Sequence, residues 1–218
     1  MAVKTQIMKV NLNLIEQDKI GKLIKVLKKG GIVVYPTDTF YGIGVNGFLT
    51  AAVKKIYILK GRDPAKPVSL VVSGLTMVRE IAVEIPSIFE TIAHQFWPGP
   101  LTIVLKAAPH IPAGLQSHEG SVGIRWPDHP WLRALIERAG FPLTATSANL
   151  TGEKEISDPD EAQKIFLGKV DLIIDAGRSP GVLPSTVIDL TQKRPRLLRE
   201  GALPSSELSR YLEKPDQV

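Results

Sequence analysis

Three cationic side chains, Lys60, Arg62 and Lys66, lie within seven residues of one another, in a segment that also contains two prolines. Proline fixes the backbone φ angle, so this segment is stiff and its like charges stay close together. A rigid loop seldom gathers like charges without an anion to offset their repulsion, and Asp63 is the only acid nearby. The segment therefore predicts a site for a phosphate or carboxylate, with a solvated run of charge as the alternative.

Hydroxyl and amide side chains follow or begin predicted strands at three further places. Such groups at strand ends bind small polar ligands, although the same residue types also stabilise turns. The three segments are Pro36–Gly42, Thr144–Asn149 and Pro184–Asp189.

Two arginines stand at the ends of predicted strands. Arg125 ends the otherwise apolar segment that begins at Ser121, so its charge has to meet either solvent or an anion at the sheet edge. Arg199 precedes Glu200, which could neutralise it.

Residues 42–47 match the pattern G-x-G-x-x-G of dinucleotide-binding folds. In that fold the first glycine directly follows a strand, and an acid about 20 positions later binds the ribose. Here six residues separate the strand from Gly42, and Lys66 and Pro67 occupy the later position. We therefore interpret the glycines as allowing tight backbone turns beside a ligand-binding segment.

Strands alternate with helices along the chain, which predicts an α/β layered fold with a mixed sheet and functional loops at the strand ends. Asn13 and Gly30 fit the two ends of the first helix. We expect helices at Leu14–Lys29, Thr50–Leu59, Leu75–Ala82, Pro86–Phe96, His129–Ala139, Ser157–Leu167 and Ser205–Leu212. We expect strands at Gly31–Tyr35, Val68–Val72, Leu101–Lys106, Ser121–Arg125, Leu143–Thr146, Asp171–Asp175, Thr186–Leu190 and Arg196–Arg199.

Composition limits the classes of function. The 218 residues are 44% hydrophobic and 22% charged, typical of one compact globule, and the net charge is 27 − 22 = +5. The absence of cysteine excludes disulfides, thiolate catalysis and iron–sulfur clusters, and the four histidines have no ligand spacing, so we expect no protein-bound metal. The apolar runs are too short to span a membrane and no signal peptide is evident, which predicts a cytoplasmic protein without membrane contacts.

The common catalytic motifs are missing as well. The chain contains no P-loop, no G-x-S-x-G elbow and no evident carboxylate pair. Each of its three tryptophans neighbours a proline, which is more typical of turn packing than of a platform for stacking bases. If the protein is an enzyme, it works through positioning and electrostatics.

Taken together, five motifs resemble, in the same order, those of the YrdC family, the L-threonylcarbamoyladenylate synthases. The resemblance spans roughly residues 15–203 and implies a mixed twisted sheet flanked by helices, with a large basic cleft. It also implies a single YrdC-like domain over residues 1–218, with a C-terminal helix and tail at 205–218. The motifs are Pro36–Gly44, Lys60–Pro67, Ser147–Asn149, Pro184–Leu190 and Leu198–Gly201.

The resemblance implies a reaction in which L-threonine, bicarbonate and ATP with Mg²⁺ give L-threonylcarbamoyl-AMP and pyrophosphate. This is the first step of N6-threonylcarbamoyladenosine formation at tRNA position 37. A separate threonylcarbamoyl transferase would receive the product, and the resemblance leaves open whether this chain binds tRNA directly. The alternative from another class is a noncatalytic protein that binds tRNA or double-stranded RNA in the same basic cleft, with an affinity that falls steeply with salt.

The resemblance also implies roles for individual residues. Lys60 and Arg62 would be catalytic, because clustered cations offset the repulsion between two anionic reactants. Ser157 is not assigned to the nucleotide, because Thr151–Glu155 depart from the family pattern. A valine, Val71 or Val72, stands where some longer members have a histidine, so the resemblance leaves this part of the threonine pocket open. The threonine-binding residues would be Thr37, Thr39, Arg62, Arg125 and Thr186. The ATP-binding residues would be Lys60, Lys66, Ser121, Ser147, Asn149 and Arg199.

Overall fold

The computed structural model describes residues 3–149, 152–181 and 183–212, and it confirms the alternation of strands and helices. The helices are α1 Gln17–Lys28, α2 Thr50–Lys60, α3 Leu75–Ile81, α4 Ile88–Phe96, α5 Pro130–Ala139, α6 Pro159–Phe166 and α7 Ser205–Leu208. The strands are β1 Gln6–Lys9, β2 Val33–Tyr35, β3 Gly42–Gly44, β4 Ser69–Val71, β5 Ala82–Val83, β6 Leu101–Ala107, β7 Ser121–Arg125, β8 Leu143–Ser147, β9 Leu172–Asp175, β10 Thr186–Asp189 and β11 Arg196–Arg199.

The strands form one mixed sheet in the order β1-β9-β2-β3-β8-β4-β7-β6-β10-β11, with β5 paired to β6. The sheet contains parallel pairs, such as β2 with β9 and β4 with β7, and antiparallel pairs, such as β3 with β8. The prediction of a mixed sheet flanked by helices is confirmed. Apolar side chains of the strands and of the inner helix faces are fully buried, as in Leu23 of α1 and Ile103 of β6.

Two predicted helices in the second half of the chain begin with a capping side chain. His129 Nδ1 accepts a hydrogen bond from the Leu132 amide at the start of α5, and Asp158 accepts one from Asp160 at the start of α6. Proline follows each cap, where its missing amide costs nothing. At the start of the chain the prediction is wrong by three residues, because α1 begins at Gln17 and Leu14 is exposed outside its apolar stripe.

The glycines of residues 42–47 have a different role from the predicted one. Gly42 and Gly44 lie in β3, a strand antiparallel to β2 that the sequence analysis missed. A Cβ atom on Gly44 would lie 2.6 Å from the Thr144 carbonyl oxygen and 2.6 Å from the Tyr35 ring. The prediction of turns at these two glycines is therefore wrong, since they give the Tyr35 ring its space within the sheet.

Two further predictions concern the end of the chain and membranes. The last helix is shorter than predicted and ends at Leu208, and residues 213–218 of the predicted tail lie outside the described residues. Over the described residues, no helix has both the length and the apolar character that a membrane crossing requires.

Candidate active site

A cavity of about 280 Å³ opens where several strands of the sheet end. Its lining comes from the turn after β2, the end of β8, the loop after α2 and the strands β6, β7, β10 and β11. Thr37, Arg62, Ser147 and Arg199 all line this cavity. The fold therefore brings together residues from each of the separate motifs in the sequence.

The turn after β2 presents two buried hydroxyl groups to the cavity. Thr37 Oγ1 accepts a hydrogen bond from the Thr39 amide at 3.0 Å and donates one to the Phe40 carbonyl at 2.7 Å. The hydroxyls of Thr37 and Thr39 lie 3.0 Å apart. Both side chains are held in place before any ligand binds, as expected of the predicted threonine-binding turn.

Arg125, at the end of β7, is buried and tied to this turn. Its Nη2 lies 2.7 Å from Asp38 Oδ1, its Nη1 donates to Thr39 Oγ1 at 3.1 Å, and its Nε donates to the Gly99 carbonyl at 3.1 Å. A guanidinium has five N–H groups, so two remain for a ligand. The anion that the sequence analysis expected near Arg125 is Asp38, a residue of the chain that was not assigned to the site.

Lys60, the last residue of α2, is buried beneath the end of β8. Its Nζ donates to Thr146 Oγ1 at 3.0 Å, to the Ser147 carbonyl at 2.5 Å and to Asn149 Oδ1 at 3.1 Å. Burial is the largest cause that lowers the Lys60 pKa to about 8, the positive charge of Arg62 adds to it, and Glu155 opposes it. Lys60, Ser147 and Asn149 therefore form one cluster, of which Ser147 lines the cavity whereas Lys60 and Asn149 do not.

The loop after α2 is closed by its own hydrogen bonds. Gly61 has a φ of 57°, a left-handed conformation that suits glycine and ends the helix. Arg62 Nε donates to the Lys66 carbonyl at 2.8 Å, and its Nη2 donates to the Pro67 carbonyl at 3.1 Å. Arg62 lines the cavity, whereas the Lys66 side chain is exposed and does not. The structure thus does not bring Lys66 to the site.

Thr186 does not reach the cavity. Its buried hydroxyl donates to the Leu203 carbonyl at 2.5 Å and accepts hydrogen bonds from the Gly201 and Leu203 amides. Its neighbour Ser185 lines the cavity instead, with its Oγ 2.8 Å from Thr102 Oγ1. Adjacent strand residues face opposite sides of a sheet, so the sequence identified the right strand and the wrong side chain.

Ser121 also lies away from the cavity. It begins β7, four residues before Arg125, which places it about 13 Å further along the strand. There it lines a separate recess with Glu84, Lys106 and Thr191, and its Oγ lies 2.8 Å from Ser117 Oγ. The structure therefore does not bring Ser121 to Arg199, although both were assigned to the nucleotide.

Arg199 and Glu155 complete the charged lining. Arg199 Nη2 donates to the Ser185 carbonyl at 2.8 Å, which directs this exposed arginine toward the cavity. Glu155 lines the cavity too, and its charge opposes the lowering of the Arg199 pKa by burial. The sequence analysis named the segment of Glu155 only as a departure from the family pattern.

The structure places Val71 and Ser157, which the sequence analysis left open, and also Tyr211 near the end of the chain. Val71 lines the cavity, whereas Ser157 does not. The Tyr211 hydroxyl donates to Gln95 Oε1 at 2.6 Å and its ring meets that of Phe96, so Tyr211 packs on α4 rather than over the site. Thr151 lies outside the described residues.

Comparisons with known proteins agree with this architecture. Residues 25–201 match the Sua5/YciO/YrdC family model, which is described as telomere recombination. The threonylcarbamoyl-AMP synthase of Pyrococcus abyssi is 36% identical over 198 residues, which cover 91% of this chain and 58% of that protein. A protein of Methanocaldococcus jannaschii, to which the same name is given provisionally, is 37% identical over 212 residues, covering 96% of this chain and 100% of its own.

Two solved structures have the same fold. The structure of P. abyssi Sua5 complexed with L-threonine has a TM-score of 0.90 and 36% identity, covering 94% of this chain and 60% of that one. The structure of Escherichia coli YciO has a TM-score of 0.83 and 28% identity, covering 96% of this chain and 100% of that one. This chain thus spans somewhat more than half of the P. abyssi protein. The family model matches most of the chain, and the chain therefore belongs to the Sua5/YciO/YrdC family.

Proposed function

We propose that this chain makes L-threonylcarbamoyl-AMP from L-threonine, bicarbonate and ATP, with release of pyrophosphate. The proposal rests on one observation: hydroxyl groups and cationic side chains line the same cavity. The buried hydroxyls of Thr37 and Thr39 line it, and so do the cations Arg62 and Arg199. A related protein with this fold has been solved with L-threonine, and relatives are named for this reaction.

The proposed reaction needs no nucleophile from the protein. The threonine ammonium and bicarbonate give a carbamate, one water and one proton. A carbamate oxygen then attacks the α-phosphorus of ATP, the bond to the bridging oxygen breaks, and pyrophosphate leaves. The protein has to align two anions, and a positively charged, preorganised site offsets their repulsion.

The residues divide between the two substrates. Thr37, Thr39 and the two remaining N–H groups of Arg125 would bind threonine, because they lie together at the turn after β2. Lys60, Ser147, Asn149 and Arg199 would bind the nucleotide, and Arg62 would face both substrates. Ser185 replaces Thr186 as the cavity residue of its segment.

Mg²⁺ would enter with ATP and neutralise charge on the phosphates. Among the described residues, no group of three or more His, Cys, Asp or Glu side chains could hold a metal ion. Phosphate oxygens and water would therefore supply most of its ligands, as is usual for Mg²⁺ in nucleotide sites. Glu155 is the acidic side chain that could add one ligand from the protein.

The concave shape and polar lining of the cavity, together with the relative solved with L-threonine, favour catalysis over RNA binding. A concave site of about 280 Å³ that is formed by converging polar groups suits small substrates.

We place the reaction in the cytoplasm, where the product would pass to a separate transferase that acts on tRNA. We also propose that residues 1–218 act as one domain that completes the reaction alone.

Pyrophosphate release by the purified 218-residue chain tests the proposal. Release should require ATP, L-threonine, bicarbonate and Mg²⁺ together, and omission of any one should return it to background. Arg62→Ala should retain the fold and lose turnover. A folded chain that releases no pyrophosphate with all four present contradicts the proposal, and tRNA binding that ignores ATP and threonine would then support the RNA-binding alternative.

A further inference from the structure

Glu155 is an acid in a site otherwise suited to anions. It lies in the connection between β8 and α6, is half-buried, and lines the cavity with Arg62 and Arg199. Within the described part of the chain, no other Asp or Glu side chain lines this cavity. A carboxylate at this position needs an explanation, because it opposes the binding of a polyphosphate.

The charges around Glu155 show how it acts on the site. Burial lowers the pKa of Lys60 and of Arg199, and the charge of Glu155 opposes this lowering in both, so the carboxylate lies within electrostatic reach of both cations. Without a nucleotide, Glu155 therefore offsets part of the repulsion among the cations. When ATP enters, the same carboxylate repels the phosphates unless a divalent cation lies between them.

The chemistry of Glu155 fits a cation bound to phosphate. Mg²⁺ prefers hard oxygen ligands and in nucleotide sites combines one or two carboxylates with phosphate oxygens and water. Glu155 provides one carboxylate at the place where the neighbouring cations would hold the phosphates. When a metal ion is bound to the phosphates, it attracts the Glu155 carboxylate, which would otherwise be repelled by the phosphates.

We infer that Glu155 makes nucleotide binding depend on Mg²⁺, because its carboxylate binds the phosphate-bound metal, directly or through water, and repels metal-free ATP. This inference rests on the proposed function, since it assumes that ATP occupies the cavity. It goes beyond that function by assigning metal selectivity to one residue.

Glu153 offers a matched control two residues away. Its side chain is exposed and does not line the cavity, while its backbone carbonyl accepts a hydrogen bond from Asn149 Nδ2 at 2.6 Å. Glu153→Gln and Glu155→Gln change the net charge equally and lie on the same segment. Only Glu155→Gln removes a carboxylate from the cavity.

The experiment measures the dissociation constant of ATP by titration calorimetry, with excess Mg²⁺ and with EDTA, in the 218-residue chain. The ratio of the EDTA value to the Mg²⁺ value expresses metal dependence. Glu155→Gln should lower this ratio by about tenfold, through tighter binding of free ATP and weaker binding of Mg²⁺-ATP. Glu155→Asp should retain most of the ratio, and Glu153→Gln should change it by less than about twofold.

Each outcome of the ATP titrations either supports or overturns the inference about Glu155. An unchanged ratio in Glu155→Gln overturns the inference and leaves the proposed function intact. An equal fall in Glu153→Gln also overturns it, because net charge alone would then explain the effect. If the wild-type chain binds ATP under neither condition, the proposed function fails first and the inference fails with it.

Discussion

Asp38 Oδ1 lies 2.7 Å from Arg125 Nη2, and this ion pair joins the turn after β2 to the end of β7. The side chains of Arg125 and Asp38 are 9% and 13% exposed. Asp38 Oδ2 also accepts a hydrogen bond from the Asp128 amide at 3.1 Å. The pair therefore fixes both the turn that carries Thr39 and the arginine that contacts it.

Asp38→Asn should reduce both stability and threonine affinity. The substitution leaves the buried charge of Arg125 unpaired, which should lower the free energy of unfolding by about 3–5 kcal/mol. Urea denaturation measures this loss, and the KM for threonine should rise more than the KM for ATP.

The exposed pair of Lys106 with Glu84 is the control for Asp38→Asn, because its side chains are 50% and 70% exposed. Glu84→Gln should change stability by less than about 1 kcal/mol. Equal losses in the two variants would show that burial of the Asp38 pair does not matter.

Lys60 should give the activity a pH dependence. Its pKa of about 8 means that the free protein loses this charge as the pH rises through 8. The value of kcat/KM for ATP should therefore fall above pH 8, whereas kcat should fall only at higher pH, since bound phosphates stabilise the charged form. Lys60→Arg should remove the fall in kcat/KM, and a wild-type profile that is flat from pH 7 to about 9.5 would contradict this role.

The same residue should affect stability in the opposite direction. Burial lowers the Lys60 pKa from its ordinary value, so between pH 8 and 10 the unfolded chain binds more protons than the folded chain. The contribution of Lys60 to stability should therefore increase with pH in this range. Urea denaturation of wild type and Lys60→Met at pH 8 and 10 isolates this contribution, and a difference that does not favour wild type at the higher pH would contradict it.

Thr186 and Ser185 should separate stability from binding. Thr186→Val leaves three buried backbone groups without their hydrogen-bond partner, so the free energy of unfolding should fall by about 2–4 kcal/mol. Ser185→Ala should change stability less and should raise a substrate KM, as steady-state kinetics would show. A raised threonine KM in a fully stable Thr186→Val would restore the role expected from the sequence.

Gly181 should be needed for the position of Thr39. A Cβ atom at Gly181 would lie 1.8 Å from the Thr39 carbonyl oxygen, so Gly181→Ala has to displace the turn and should lower threonine affinity by about tenfold or more. Gly21 in α1 has open space around it, and Gly21→Ala should instead stabilise the protein by about 0.5–1 kcal/mol. Threonine titrations of Gly181→Ala that match wild type would show that the segment moves freely.

The sequence predicted the features that depend on local pattern. Caps such as Asp158 and apolar runs such as that of β7 depend on neighbouring residues, so those elements were confirmed. The cluster of Lys60 with Ser147 and Asn149 was predicted through the resemblance, and the structure brings these residues together. Its hydrogen bonds join positions that are 86 to 89 residues apart, which no local pattern specifies.

Features that depend on strand pairing and side-chain direction were missed. β3 contains two glycines, which are uncommon in strands, and the close approach of the Tyr35 ring and of the Thr144 carbonyl explains them. Asp38 could be recognised as the partner of Arg125 only once β2 and β7 were placed in the sheet. Neighbouring residues of an extended segment point to opposite faces of the sheet. The sequence does not show which face of β10 borders the cavity, so Thr186 was chosen in place of Ser185, which directly precedes the strand.

The proposed reaction joins threonine and bicarbonate to the adenylyl group of ATP. The measurement that tests it follows ¹⁴C from bicarbonate into an AMP-containing product, separated by chromatography and identified by mass. We expect labelled threonylcarbamoyl-AMP that forms only with both threonine and ATP and is lost in Arg62→Ala. A folded, ATP-binding chain that incorporates no label, or that incorporates label without threonine, would contradict it.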